Sequence, residues 1–106
     1  MIAGCVTVLH GAAAGQTAPA PAIQDTLNRV AADLFSATPH PAEAIRQLKA
    51  ILAAAPSLPE GHMFLGIAYR AQGSPELMGE AVAELRQALA LNPSLALARM
   101  TLAHIY

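Results

Sequence analysis

The chain has no tryptophan, one cysteine, two phenylalanines and two tyrosines, and only 12 % of its 106 residues are charged. Each shortage excludes something. A single thiol, Cys5, can form no intramolecular disulfide and cannot assemble a thiolate metal site. With so few rings, core volume has to come from Leu, Ile, Met and the many alanines, which suits closely stacked helices. Six basic and seven acidic residues scattered along the chain give a formal net charge of −1. That leaves no footprint for nucleic acid and no electrostatic hold on a membrane. No run is long and apolar enough for a transmembrane helix. Equally, 55 % hydrophobic residues is too apolar a balance for an intrinsically disordered chain.

What is present divides in two. Residues 1–21 are apolar and small, then rich in Pro and Ala, and read as a flexible or export-signal-like segment. Ala12-Ala13-Ala14 and Ala18-Pro19-Ala20 are small-residue cleavage contexts, although no Lys or Arg precedes the apolar run. Ile2-Ala3-Gly4-Cys5 resembles a bacterial lipobox, which would make Cys5 a lipidation site. Periplasmic or envelope-associated placement in a bacterium follows from these features; a disordered cytoplasmic tail is the alternative.

Residues 22–106 read as one all-α domain. Ile23, Leu27, Val30, Ala31 and Leu34 recur at helical spacing and predict a helix over 22–36. Thr38-Pro39-His40-Pro41 is a turn, and 42–55 forms the answering helix, stopped by Pro56. Ser57 and Glu60 have the spacing of a capping box for the next helix, which turns at Gln72-Gly73. A longer helix over 75–91 follows, with Ser74 as N-cap and Pro75 in the first helical position. Gly79 inside it costs about 1 kcal/mol relative to Ala. A fifth helix runs from Leu95 to Tyr106.

The chain also repeats itself. Residues 42–58 laid over 79–95 match at Glu43/Glu80, Ala44/Ala81, Leu48/Leu85, Leu52/Leu89, Ala53/Ala90, Pro56/Pro93, Ser57/Ser94 and Leu58/Leu95, and Met63, Leu65 and Tyr69 return as Met100, Leu102 and Tyr106. Leu65, Gly66, Tyr69, Ala81, Leu85, Ala88 and Pro93 together resemble the tetratricopeptide repeat (TPR), a helix–turn–helix unit of about 34 residues. The resemblance implies TPR-type hairpins stacked as a short right-handed solenoid of about five helices: a first repeat over 22–58, a second over 59–95, and the first helix of a third over 96–106. The chain departs from the family in its period of 37 residues, in His62 where a large aromatic is favoured, and in Ile51 where Ala is favoured.

The resemblance further implies a concave groove lined by the first helix of each repeat. The groove positions would be Asp25, Asn28, Arg29, Ala32 and Phe35, then Glu60, Met63, Phe64, Ile67 and Arg70, then Leu97, Met100, Thr101 and His104. Members that clamp an acidic C-terminal tail carry Lys, Asn and Arg at several of these places, where this chain has Phe64, Leu97 and Thr101. An apolar peptide or amphipathic helix is therefore the expected ligand. The alternative is that these residues pack against neighbouring helices.

His10, His40, His62 and His104 show no metal-ligand spacing, and no nucleophile, phosphate loop or cofactor motif is present. Glu43 and Glu80 recur at one place in the second helices and read as helix N-terminal charges. The expected function is a non-enzymatic protein–protein interaction scaffold with no cofactor. One alternative is the docking or regulatory arm of a larger enzyme, such as a glycosyltransferase or kinase. Another is self-association through the last helix, whose Leu97, Met100, Leu102, Ile105 and Tyr106 leave it strongly apolar.

Overall fold

The computed structural model describes residues 20–106, so Cys5 and residues 1–19 of the signal-like segment lie outside the described residues, while Pro21, the last residue assigned to that segment, is the first of a helix. These residues form five α-helices: α1 (Pro21–Leu34), α2 (Pro41–Ala54), α3 (Pro59–Gln72), α4 (Pro75–Leu91) and α5 (Ala96–Ile105). Four of the five begin on a proline. Proline's missing N–H costs nothing in the first turn, and its fixed φ suits that position. This is why α1 and α2 start one residue before the positions read from hydrophobic periodicity. Helix α3 ends at Gly73, whose φ of 81° places it in the left-handed region that side chains resist.

Two capping expectations are corrected. The N-cap of α3 is Leu58, so Ser57 lies one residue outside it and the Ser57–Glu60 box does not form. Ser74 is the N-cap residue of α4, but its hydroxyl donates to the Glu76 carboxylate and not to the helix backbone. Glu76 is accordingly the first-turn acid of α4, and Glu80 lies a turn further in, beyond the strongest part of the dipole field.

Helix α3 is central and packs against all four others, most closely against α4. Seven of its 14 residues are buried: Gly61, Met63, Leu65, Gly66, Ile67, Ala68 and Tyr69. Leu27, Val30 and Leu34 of α1, Ala44, Leu48 and Ile51 of α2, and Ala81, Leu85 and Ala88 of α4 complete the core with Ala98 of α5. Leu48 and Leu85, one period apart, are its largest fully buried side chains. Burying each is worth about 1.5–3 kcal/mol.

The 37-residue period extends to the backbone. Between α2 and α3, Ala55 N–H donates to the Ile51 carbonyl (2.8 Å), Leu58 N–H to Ala55 (3.2 Å) and His62 N–H to Leu58 (3.3 Å). Between α4 and α5 the same three bonds return: Asn92 to Ala88 (2.8 Å), Leu95 to Asn92 (3.3 Å) and Arg99 to Leu95 (3.3 Å). Each junction also carries a side-chain clip. The His62 ring donates through Nε2 to the Pro56 carbonyl, and the Arg99 guanidinium donates to the Pro93 carbonyl. The clipping residue changes type while its place and acceptor do not.

Candidate functional site

The expected groove residues do not share one open surface. Met63, Ile67 and Thr101 are buried, and the Thr101 hydroxyl bonds the Leu97 carbonyl at 2.8 Å within its own helix. Glu60, Phe64 and Leu97 are half-buried, while Arg70, Met100 and His104 are exposed. In α1, Asp25, Asn28, Arg29, Ala32 and Phe35 are exposed. The physical reason is the number of neighbours: α3 is covered on most of its circumference, so positions that an isolated hairpin would show to solvent contribute to the core. Of the packing residues, Leu65, Gly66, Tyr69, Ala81, Leu85 and Ala88 are buried, and Pro93 is exposed in its turn.

Open space lies instead along the seam between α1 and α2. One part, a cleft of about 410 Å³, is lined by Arg29, Val30, Asp33, His40, Glu43, Ala44 and Gln47. The other, about 400 Å³, is lined by Ala22, Ile23, Thr26, Arg29, Gln47, Ala50, Ile51 and Ala54. Arg29 and Gln47 border both, so the two form one trough with a polar end and an apolar end.

The repeat explains why this seam is open and the α3–α4 seam is closed. One period on from Arg29 stands Gly66, where the backbone of α3 comes so close to α4 that an added Cβ would stand 2.7 Å from Leu85 Cγ. Arg29 cannot permit that approach. One period on from His40 stands Leu77, which the extra first turn of α4 lays against the core. One period on from Thr26 stands Met63, buried and larger. The first hairpin thus has a bulky cation and two smaller or more polar groups where the second has a close contact and apolar fill.

The polar end is held by a tie across the α1–α2 turn. His40 donates its backbone N–H to Asp33 Oδ2 (2.8 Å), and its ring Nδ1 bonds Oδ1 (2.8 Å). These two bonds, the ring's first, hold the Asp33 carboxyl below the usual carboxylate range. Glu43 is likewise lowered, by bonds from Arg46 and then Gln47. Both acids are therefore engaged. Arg29 donates only to the Thr26 hydroxyl, at 3.3 Å, and has no acidic partner among the described residues.

His62 is the other titratable group held by geometry. Nε2 bonds the Pro56 carbonyl and Nδ1 faces Glu84 Oε1, both at 2.7 Å, tying α3 to the preceding turn and to α4. The sequence marks His62 only as a departure from the repeat pattern, standing where a large aromatic is favoured. Its pairing with Glu84 links residues 22 apart, and the turn carbonyl that it also bonds leaves no sequence signal. Among the described residues no three His, Cys, Asp or Glu side chains converge on a point suited to a metal ion, and no helix is long and apolar enough to cross a membrane. No family model matches the chain, and no curated protein or solved structure matches it.

Proposed function

We propose that the chain is a non-enzymatic protein–protein interaction module of the TPR type, and that it takes a peptide into the α1–α2 trough. The observation that carries the reading is the trough itself, an apolar wall of Ile23, Ala50, Ile51 and Ala54 running past Arg29 into a polar end. The matched junctions at 37-residue spacing support the repeat part of the reading. A peptide in this seam gains affinity by burying apolar side chains at the first end, at about 25 cal/mol per Å², less the cost of ordering the peptide. An acidic group on it finds in Arg29 the one cation of the trough without an acidic partner among the described residues.

The test is selection of short random peptides on the immobilised protein, followed by affinity measurement against Ala50→Glu and Arg29→Ala. Ala50 is exposed in α2 and Arg29 in α1, so both substitutions preserve the packed core. The expected result is apolar peptides that lose binding to Ala50→Glu, with acidic ones also weakened by Arg29→Ala. Failure to enrich any peptide, or peptides indifferent to Ala50→Glu, overturns the proposal.

A further inference from the structure

The charges of the α1–α2 trough follow a fixed order. Its apolar end carries no charge short of Arg29, which with Gln47 borders both parts, and past Arg29 stand the carboxylates of Asp33 and Glu43. Both carboxyls are held below their usual range and are ionised at neutral pH. Their oxygens are already bonded within the chain, at Asp33 by the His40 backbone and ring and at Glu43 by Arg46 and Gln47. Arg29 differs. It donates only to the Thr26 hydroxyl, which leaves most of the guanidinium N–H groups without an acceptor among the described residues. The seven acidic residues of the chain lie between Asp25 and Glu84, and none of them pairs with Arg29. Spacing follows from the helix. A rise of about 1.5 Å per residue puts Arg29 about 9 Å from Ile23 along α1, and Asp33 about 6 Å further on. Extended chain covers that span in about five residues, with alternate side chains on one face about 6–7 Å apart.

We propose that the ligand of the trough is an extended segment of another protein, with an aliphatic, a single acidic and a basic residue in that spatial order at alternate positions. This inference rests on the reading of the trough as a peptide site and adds the chemistry that the site selects. The aliphatic side chain lies against Ile23, Ile51 and Ala54, the acid pairs with Arg29, and the base faces Asp33 and Glu43. A run of acids is rejected, because the second one meets like charge past Arg29. Residues 1–19 contain no Asp, Glu, Lys or Arg, so they cannot supply the charged half of the ligand. The pattern occurs once in the sequence, as Val82-Ala83-Glu84-Leu85-Arg86. That stretch lies within α4 with Leu85 buried and Glu84 bonded to His62, so a folded second copy does not present it. Charge complementarity therefore favours a separate partner as the source.

The test sets two peptide libraries of equal composition against each other on the immobilised full chain. One has Glu at the centre, Leu-x-Glu-x-Lys and its reverse; the other has Lys there, Leu-x-Lys-x-Glu and its reverse, with x and the flanking residues random. The expected result is enrichment from the Glu-centred library alone. Changing the Lys of an enriched peptide to Glu should weaken binding about tenfold at low salt, since an exposed attraction becomes a repulsion, and Glu43→Gln in the protein should cut that loss to about threefold. Glu43 is exposed, so this substitution leaves the core intact. Peptides that lose binding to Ala50→Glu but come equally from both libraries overturn this inference and leave the peptide site standing. Enrichment from neither library removes both. A synthetic peptide of residues 1–19 that displaces the enriched peptides makes the chain's own segment the occupant and likewise overturns the inference.

Discussion

Replacing Gly66 by alanine sets two effects of opposite sign against each other, and the structure decides between them. In an unobstructed helix interior the change gains about 1 kcal/mol, because alanine loses less backbone entropy on folding. Gly79 offers that situation: a Cβ there meets nothing within 4 Å, so Gly79→Ala should stabilise by about 0.5–1 kcal/mol. At Gly66 the new Cβ stands 2.7 Å from Leu85 Cγ and 3.0 Å from the Ala81 carbonyl oxygen. Neither is the free end of a flexible chain, and both Leu85 and Ala81 are fully buried. Overpacking of a filled core costs about 1–3 kcal/mol, which exceeds the helical gain. The net expectation is destabilisation by about 1 kcal/mol, a melting temperature lower by about 4–8 °C in a domain of this size. The assay is urea unfolding followed by circular dichroism on wild type and both variants, with equal m-values required before the free energies are compared. If Gly66→Ala stabilises as Gly79→Ala does, α3 and α4 are not in the close contact described, and the explanation offered for the open α1–α2 seam falls with it.

Three further outcomes are expected. Gly73→Ala should cost about 1–2 kcal/mol through backbone strain alone, since φ is 81° and no atom lies within 4 Å of the added Cβ; urea unfolding checks it, and an unchanged midpoint refutes the left-handed cap. His62→Leu should destabilise by about 1–3 kcal/mol by leaving the half-buried Glu84 carboxylate and the Pro56 carbonyl without their partner, and Glu84→Gln should cost less in the His62→Leu background than in wild type, measured as a double-mutant cycle. The acid limb of stability should flatten in Asp33→Asn: the folded-state pKa of Asp33 is lowered, so its contribution is present above the unfolded value and is lost as pH falls through the folded one. Acid titration at low salt against wild type reads this, and identical slopes below the ordinary carboxylate range would remove the Asp33–His40 tie as a pH-linked element.

Helix existence was legible because the prolines and Gly73 punctuate the chain where helices start and stop, and because Ala44, Leu48, Ala81 and Leu85 repeat at core-facing intervals. The all-helical fold needs nothing more. The surface positions were harder. Periodicity identifies one apolar stripe per helix but does not say how many neighbours a helix has. By periodicity alone Met63 and Ile67 therefore fall on a groove, whereas α3, with four neighbours, buries them. The clips at His62 and Arg99 were hidden for another reason. They depend on which turn carbonyl a side chain reaches, and two unlike residues make the same bond.

The trough was encoded in the sequence, at one position that comparison at 37-residue spacing isolates. Arg29, Gly66 and Ala103 occupy the same place in α1, α3 and α5. Where the residue is Gly, Leu85 enters and the hairpin closes. Where it is Arg, α1 and α2 border an open trough, and the side chain that keeps them apart also gives the trough its cation. A repeat conserves its framework through the positions that match, such as Leu48 and Leu85. What it can bind is set by the positions that do not, because only there do otherwise equivalent hairpins differ in the space and charge they leave.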